Sequence, residues 1–253
     1  MTEARRLDCL NLFNALFGGV AIAYLTAFGQ WQWLWWTLGV YVTLSVFGNS
    51  VGFHRYVAHR SYETYTPIRW FLLYCGSMMS LGSPITWTMV HRTHHMYPDT
   101  DGDPHSPRLL GFYRAWLSIG WNLKKCSPRS IRDLAREKDV QFFHRNYFKI
   151  VYGTALILLV IDWRLFLFAY ALPSALMWVI FGFASAWCHT GGYRNHDVDD
   201  ASTNSLLVAW LFVGEGYHNN HHQRPNDWNN WDKWWEVDLP AVIIRLIRKP
   251  RTS

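Results

Sequence analysis

Residues 165–187 read LFLFAYALPSALMWVIFGFASAW, a stretch that contains no charged side chain and that is followed closely by His189. A helix of about 20 apolar residues crosses the hydrocarbon core of a bilayer, so this stretch predicts a transmembrane helix. Pro173 predicts a kink within it, because proline removes a backbone hydrogen bond. A three-residue turn at 162–164 (Asp-Trp-Arg) joins it to the apolar residues 147–161, and the two stretches together predict a transmembrane hairpin.

A second pair of apolar stretches, residues 10–28 and 31–53, lies near the amino terminus, with only two residues between them. The first follows two arginines and contains Ala21-Ile22-Ala23, so a cleaved signal peptide is an alternative interpretation. We favour a second transmembrane hairpin, because the apolar sequence continues past the possible cleavage site and each stretch is long enough to span a bilayer.

Two further apolar stretches are not predicted to cross. Residues 206–213 are too few. Residues 68–90 are interrupted by glycine and proline, and a crossing would separate His54 from His91, so we expect this stretch to lie along the membrane or to dip into it. The predicted fold is an all-α integral membrane protein with four transmembrane helices in two hairpins. The prediction treats residues 1–253 as one domain, with a cytoplasmic helical cap formed by residues 54–146 and 188–253.

The charge distribution assigns sides to this predicted fold. Half of the 253 residues are hydrophobic and 17% are charged, against about a quarter charged in typical soluble domains. With four spans, 23 of the 24 lysines and arginines fall on the side that holds both termini and every histidine group, and Arg164 stands alone opposite. The positive-inside rule makes that side the cytoplasm. We therefore expect a multi-pass membrane protein whose termini and active site are cytoplasmic.

The net charge of +6 is partly explained by a basic stretch, residues 124–149, which would lie beside the membrane and meet anionic headgroups. We therefore expect membrane lipids, and no nucleic acid, among the partners. The four cysteines contain no C-x-x-C pair, so neither a disulfide framework nor a cysteine-rich zinc site is indicated. A reducing compartment fits this pattern.

Nine of the twelve histidines fall into four groups, which are His54 and His59; His91, His94 and His95; His189; and His218, His221 and His222. On a helix, positions i, i+3 and i+4 project within about 100° of one another, so each H-x-x-H-H is predicted to present three imidazoles to one side as half of a metal site. The spacing i, i+5 turns through about 140°, which predicts that His54 and His59 reach different ions. These spacings indicate a two-metal centre.

The number of ligands narrows the choice of metal. One zinc takes three or four ligands and no H-E-x-x-H is present, while haem takes one or two axial histidines. Imidazole suits iron and copper, and two irons with open positions can react with dioxygen as a co-substrate. The remaining histidines are set apart: His105 is expected in a supporting or loop position, and His144 and His196 are left without a role.

These motifs resemble those of the membrane fatty acid desaturases, in particular the delta-9 acyl-CoA and acyl-lipid branch that includes the stearoyl-CoA desaturases. The resemblance is carried by stretches at 52–60, 87–95, 99–107, 214–222 and 234–238, which together span nearly the whole chain. It implies four transmembrane helices under a cytoplasmic cap and two irons. Carried over by motif, the ligands are His54, His59, His91, His94, His95, His189, His218, His221 and His222.

Two positions depart from the family pattern. Where many relatives have an asparagine that contacts a metal-bound water, this chain has Ser185, which we predict takes over that contact. Leu81 stands where many relatives have glutamine beside the acyl channel. Trp87 keeps the family residue and is predicted, with Leu81, to line the channel, although a tryptophan at this depth could also simply pack the core.

The resemblance implies an oxidoreductase that uses dioxygen to insert a cis double bond, at delta-9, into a saturated acyl chain carried by CoA or a lipid. The chain has no flavin, nicotinamide or cytochrome b5-like motif, so electrons must come from a separate donor such as ferredoxin or cytochrome b5, which the basic face would attract. A membrane hydroxylase with the same histidine boxes is the alternative. A histidine-rich metal transporter is disfavoured, because the predicted spans have almost no polar side chains to form a path.

Overall fold

The computed structural model of the protein describes residues 2–117 and 123–250, and within these ranges every regular element is a helix. The predicted all-α class is confirmed. Three isolated β-bridges pair single residues of the loops, at Thr64 with Arg248, Tyr193 with Asn204, and Asn204 with Tyr217. Residues 118–122 and 251–253 of the predicted cap lie outside the described residues.

The helices of the described ranges are, in chain order, α1 (Glu3–Phe28), α2 (Leu34–Thr43), π1 (Leu44–Ala58), α3 (Thr66–Met78), α4 (Pro84–Met96), α5 (Pro107–Leu110), α6 (Phe112–Leu117), α7 (Lys138–Arg145), α8 (Tyr147–Ile161), α9 (Trp163–Phe166), π2 (Leu167–Ala171), α10 (Leu172–Trp187), α11 (Leu206–Leu211), α12 (His218–Gln223) and α13 (Leu239–Ile247). Short 3-10 turns cover Trp31–Trp33, Leu123–Lys125, Pro128–Ile131 and Leu134–Arg136.

Two of the described helices are long and apolar enough to cross a membrane. They are α1 and the continuous helix Trp163–Trp187, which is built from α9, π2 and α10. α8 is a shorter apolar helix. α1 packs closely on α10 where Gly18 faces Ala175, because a Cβ at Gly18 would lie 3.2 Å from that of Ala175.

The turn before Pro173 is wider than an α-helical turn. The backbone N–H of Leu172 donates to the carbonyl of Leu167, five residues earlier, and π2 ends at Ala171, two residues before the proline. Proline has no N–H to give and its ring crowds the preceding turn, so a wide turn at this point relieves both problems. The kink predicted at Pro173 stays a prediction, and the irregularity that the structure shows here is the π-turn.

The second predicted span continues beyond residue 53, because α2 leads directly into π1 and the helix ends at Ala58. In π1 the hydrogen bonds join residues five apart. His54 thus lies within a helix and His59 forms its carboxyl-terminal cap.

α3 and α4 form a helical hairpin beside π1. α3 runs antiparallel to π1 and packs against it at two glycines: a Cβ at Gly48 would lie 2.8 Å from the carbonyl oxygen of Cys75, and Phe53 lies on Gly76. The chain then turns at Gly82, where φ is +115°, and α4 returns towards His54. Both ends of the stretch 68–90 therefore lie at the same end of the fold. This arrangement is the one expected if the stretch does not cross the membrane.

Candidate metal centre

The nine histidines of the predicted site gather into two adjoining groups. The five-histidine group consists of His54, His59, His91, His95 and His221, and the four-histidine group consists of His94, His189, His218 and His222. Within each group, one ring nitrogen of every residue lies within 4.8 Å of those of the others. The rings of His95 and His222 are 4.5 Å apart between centroids, so the two groups are immediate neighbours.

The spacing of the ring nitrogens suits metal coordination. Nε2 of His221 lies 3.0 Å from Nε2 of His54 and 3.0 Å from Nε2 of His95, and in the other group Nε2 of His189 lies 3.0 Å from Nε2 of His218. With metal–nitrogen bonds of about 2.1 Å, two ligands at right angles stand about 3.0 Å apart. The nitrogens thus converge at the distances expected of ligands that share an ion.

Each H-x-x-H-H helix divides its histidines between the groups. In α4 the i, i+4 pair, His91 and His95, belongs to the five-histidine group, and His94 belongs to the four-histidine group. In α12 the i, i+4 pair belongs to the four-histidine group and His221 to the five-histidine group. Residues i and i+4 differ by only about 40° around a helix, whereas i+3 lies about 60° to the other side. The prediction that each box presents all three imidazoles to one half-site is therefore wrong.

The prediction that His54 and His59 diverge is also wrong, since both belong to the five-histidine group. The angle of about 140° holds for an α-helix, but these residues lie at the end of π1. The N–H of His59 donates to the carbonyl of His54 over 3.0 Å, five residues apart. One turn of a π-helix thus brings i+5 close to i around the axis, and both imidazoles join the same group.

Carboxylates lie behind four of the imidazoles, three of them within hydrogen-bonding geometry and the fourth at ion-pair distance. Nδ1 of His94 lies 2.8 Å from Oδ2 of Asp103, Nδ1 of His189 lies 2.9 Å from Oδ2 of Asp99, and Nδ1 of His222 lies 2.7 Å from Oδ2 of Asp200. In the five-histidine group, Nδ1 of His54 lies 2.6 Å from Oε2 of Glu215. A carboxylate on Nδ1 keeps the proton there and leaves Nε2 with a free lone pair for a metal.

The sequence alone did not identify these four carboxylates as part of the site. Asp99 and Asp103 lie in the stretch 99–107, one of those that carry the family resemblance, and Glu215 lies three residues before His218. Their proximity to the histidine boxes was the available signal. Asp200 had none, because nothing in the sequence around it differs from an ordinary acidic loop.

The protonation states agree with metal binding. Burial, and then the positive charge that neighbouring histidines would carry, lower the pKa values of His59, His91, His95, His218 and His221 far below the usual range. The pKa of His222 falls to about 4, mainly through burial. Burial acts to raise the pKa of Asp99, but the hydrogen bond from His189 and the charge of that ring outweigh it and lower the pKa to about 2. Neutral imidazoles beside ionised carboxylates are the forms that bind metal.

Two buried nitrogens test whether a metal fits. Nε2 of His94 and Nε2 of His222 are buried and have no hydrogen-bond partner within the described ranges. An unpaired buried polar atom is costly, whereas a lone pair directed at a cation is satisfied. Both nitrogens belong to the four-histidine group, and their Nδ1 atoms are already occupied by carboxylates. The donor set therefore fits a metal, and all of its members are imidazoles.

The three other histidines lie outside the two groups. His105 stacks on His94 with 4.6 Å between ring centroids, and its backbone N–H donates to Oδ1 of Asp103, which places it in a supporting position. Nδ1 of His144 lies 2.7 Å from the Ser83 hydroxyl, and His196 pairs with Asp232.

Two cavities adjoin the histidines. The metal cavity is lined by several of the histidines together with Asn49, Trp87, Phe181, Ser185 and Phe212, and Trp87 stacks on His91 with 4.9 Å between ring centroids. A mostly apolar cavity beside it is lined by residues that include Leu7, Leu81, Trp116 and Trp178. The two cavities share His105, Phe181 and Ser185. Trp87 and Leu81 thus lie on different cavities, and Ser185 lies where the two meet.

The loops that carry α12 are held by a buried polar network. Asn204 donates to the amide oxygen of Asn220 over 2.8 Å, and Asn220 donates to Glu236 over 2.9 Å. Arg55, next to His54, donates to Oδ2 of Asp238 over 2.8 Å, and both side chains are almost completely buried. These contacts join π1 and α12 to the carboxyl-terminal loops and hold the third histidine box against the first.

Comparisons with known proteins place the chain in a family. The fatty acid desaturase family model matches residues 31–242. The chain is 35% identical to the sn-1 stearoyl-lipid 9-desaturase of Anabaena variabilis, covering 94% of this chain and 91% of that protein. It is 31% identical to Delta-9 acyl-lipid desaturase 1 of Arabidopsis thaliana, covering 96% and 81%. It is 32% identical to the Acyl-CoA C20 Delta5-desaturase of Anemone leveillei, covering 98% and 82%.

Proposed function

The chain belongs to the fatty acid desaturase family, and from this premise we propose that it inserts a cis delta-9 double bond into a saturated acyl chain. The chain is thus an oxidoreductase of lipid metabolism. The observation that carries the proposed desaturation is the pair of histidine groups beside a cavity that shares lining residues with a mostly apolar one. Delta-9 is favoured over other positions because two of the three relatives described above are named for position 9 and one for position 5.

The metal is proposed to be two irons, one bound by each histidine group. When bound, the irons would activate dioxygen, because removal of hydrogen from an unactivated methylene pair needs a strong oxidant. The chain's own contribution is to present nine imidazoles, four of them buried and five partly buried, which limits the access of bulk water to the metal. The carboxylates Asp99, Asp103, Asp200 and Glu215 hold protons at Nδ1 of their partner histidines, so that Nε2 faces the metal.

The acyl chain is proposed to occupy the apolar cavity and to pass Ser185 on its way to the metal cavity. Leu81 would form part of the wall of the apolar cavity, and Trp87 would form part of the wall of the metal cavity beside the histidines. A narrow apolar channel holds a methylene chain by burial alone, so the carbons that meet the metal are set by how deeply the chain enters. This arrangement suits an acyl group on CoA or on a membrane lipid.

Four membrane spans remain the proposed topology, with one domain over residues 1–253. Two helices are long and apolar enough to cross a membrane, and α8 and the continuous helix formed by α2 and π1 would supply the others. The proposal places both termini and the metal centre in the cytoplasm, on the side that carries 23 of the 24 lysines and arginines. Cysteines introduced at Ser61 and Asp101 should be labelled from the same side, and labelling from opposite sides would reject the four-span topology.

An external electron donor is proposed to dock on the basic stretch of the cap. Exposed cationic side chains there include Arg129, Arg132, Arg136 and Lys138. An acidic carrier such as ferredoxin or cytochrome b5 would be steered to this face. The double variant Arg132→Glu/Arg136→Glu should slow reduction of the enzyme at low salt and approach the parent at high salt. A rate that does not respond to either change would move the docking site elsewhere.

Fatty-acid analysis of a heterologous host that expresses the chain tests the proposed function directly. We expect new cis-monounsaturated acids with the double bond at carbon 9, and none from a matched His95→Ala variant. Hydroxylated acids instead of alkenes would identify the enzyme as a membrane hydroxylase. Metal accumulation without any change in lipid composition would favour transport.

A further inference from the structure

Asn49 is a polar residue of the metal cavity that the sequence motifs do not include. Its side chain is 1% exposed, and it lines the metal cavity together with His54, His94 and His218. Its amide oxygen Oδ1 is buried and has no hydrogen-bond partner among the described residues. A buried amide oxygen without a partner is unfavourable, so its retention next to a metal site requires an explanation.

The position of Asn49 follows from the same π-helix that orients the first histidine box. Asn49 precedes His54 by five residues, as His54 precedes His59, so successive π-turns place all three on one face of π1. The next residue, Ser50, donates to Oε1 of Glu215, whose other oxygen lies 2.6 Å from Nδ1 of His54. Ser50 therefore supports an imidazole from behind, while Asn49 faces the cavity itself.

The cavity contains a second unpaired polar atom. The indole Nε1 of Trp87 is buried and has no acceptor within the described ranges. One unpaired donor and one unpaired acceptor thus line a cavity that also contains metal-binding nitrogens. A buried water commonly makes two to four hydrogen bonds, and these atoms are the partners it would need.

We propose that Asn49 is a positioning residue that accepts a hydrogen bond from a water ligand of the metal, through its side-chain oxygen. This inference rests on the proposed metal site. It reassigns a task that the sequence comparison gave to Ser185, whose short hydroxyl lies where the two cavities meet. Asn49 has the longer side chain, and its free oxygen is an acceptor for a water that already donates its lone pair to a cation.

The test compares three variants of the purified, iron-loaded enzyme. Asn49→Leu keeps the approximate volume and removes the acceptor. Asn14→Leu is the matched control, because Asn14 is an equally buried amide in α1 that does not line the metal cavity. Asn49→Leu/Ser185→Asn returns an amide to the same cavity from α10. Iron content, azide affinity followed by visible absorption, and desaturation are measured for each protein.

Azide that binds in place of the water ligand would compete with it, so a water that nothing holds would be displaced more easily. We expect Asn49→Leu to keep its iron, to bind azide about tenfold more tightly and to desaturate about tenfold more slowly, since loss of one hydrogen bond corresponds to roughly a tenfold change. Asn14→Leu should match the parent in azide affinity, and the double variant should move back towards the parent.

Unchanged azide affinity in Asn49→Leu would overturn the proposal, whatever the activity. If Asn49→Leu loses iron, Asn49→Ala is measured instead, and loss of iron in both would assign Asn49 to structure and reject the water-holding role. Failure of the proposed function would be recognised separately, in the parent enzyme. That protein would then contain no iron or would produce no new unsaturated acids.

Discussion

In the four-histidine group, three of the four imidazoles donate Nδ1–H to a carboxylate, whereas in the five-histidine group only His54 has a carboxylate at Nδ1, within the part of the chain that the structure describes. The group with fewer ligands is thus anchored by more charges. The additional imidazoles of the other group are oriented by packing, as where Trp87 stacks on His91. Two chemically similar sites therefore reach rigidity by different means, and their iron affinities should respond differently to the same kind of mutation.

The largest expected effects come from single ligands in each group. His95→Ala in the five-histidine group and His222→Ala in the four-histidine group should each reduce desaturation by more than about a hundredfold, because direct ligands exceed supporting residues in effect. Iron should fall from about two to about one per chain in each variant, if each group holds its own ion. Metal analysis and fatty-acid analysis measure both. Loss of both irons from either variant would show that the groups act as one unit.

Arg55 offers a way to weaken the five-histidine group through the fold. Its guanidinium pairs with Asp238 at 2.8 Å, and both side chains are at most 1% exposed. Arg55→Met should lower the free energy of unfolding by about 3–5 kcal/mol, because the Asp238 carboxylate stays buried without its ion pair.

The matched control for this buried pair is Arg224→Met, which removes a partly exposed partner of Asp232 and should cost no more than about 1 kcal/mol. Chemical unfolding in detergent measures both variants. Equal losses would mean that Arg55 contributes no more than a surface ion pair.

Neutralising the carboxylates sharpens the comparison at the sites themselves. Asp103→Asn and Asp200→Asn should each weaken metal binding in the four-histidine group by roughly 10–100-fold, since an amide cannot accept the Nδ1 proton as strongly. Glu215→Gln should do the same only at the ion near His54. Stepwise iron removal by a chelator reports the affinity of each site. The two variants should each weaken a different iron. If Glu215→Gln and Asp200→Asn weaken the same iron, the assignment of these carboxylates to separate ions is wrong.

Acid provides the smallest and most general perturbation. Six of the nine histidines (His59, His91, His95, His218, His221 and His222) have lowered pKa values in the folded protein, about 4 for His222, so the unfolded chain binds more protons below about pH 6.5. Their contribution to stability is present above that pH and is lost as the pH falls towards 4. Asp99 acts at lower pH, because its contribution is present above about 3.9 and is lost only as the pH approaches its folded value of about 2.

The measurable consequence is a difference between metal-free and iron-loaded protein. The melting temperature of the metal-free protein should fall by about 4 °C or more between pH ~7 and ~4, and that of the loaded protein should fall less, because the ion competes with protons for the same nitrogens. Thermal scans in detergent at several pH values test this. A loaded protein that is as acid-sensitive as the metal-free one would argue against metal on these imidazoles.

Sequence reasoning succeeded where the information is local. The apolar stretches at 10–28 and 165–187 correspond to the two helices that are long and apolar enough to cross a membrane, and the H-x-x-H-H spacing places each box on one helix. It failed at π1, because hydropathy and residue spacing do not reveal whether hydrogen bonds join residues four or five apart. π1 packs closely against α3, where Gly48 admits the backbone of Cys75 and Gly76 admits the ring of Phe53, and these contacts join parts of the chain that sequence spacing does not relate.

The sequence by itself determined that nine histidines stand beside apolar helices, and that their number exceeds the needs of one ion. Which histidine joins which group was decided only by tertiary structure, because the contacts join distant parts of the chain: Glu215 supports His54, and Asp99 supports His189. The same holds for Asn49, an ordinary asparagine in the sequence that becomes a candidate water-holding residue once π1 turns it into the metal cavity. Helical periodicity is a property of neighbouring residues, whereas a coordination sphere depends on how separate helices pack.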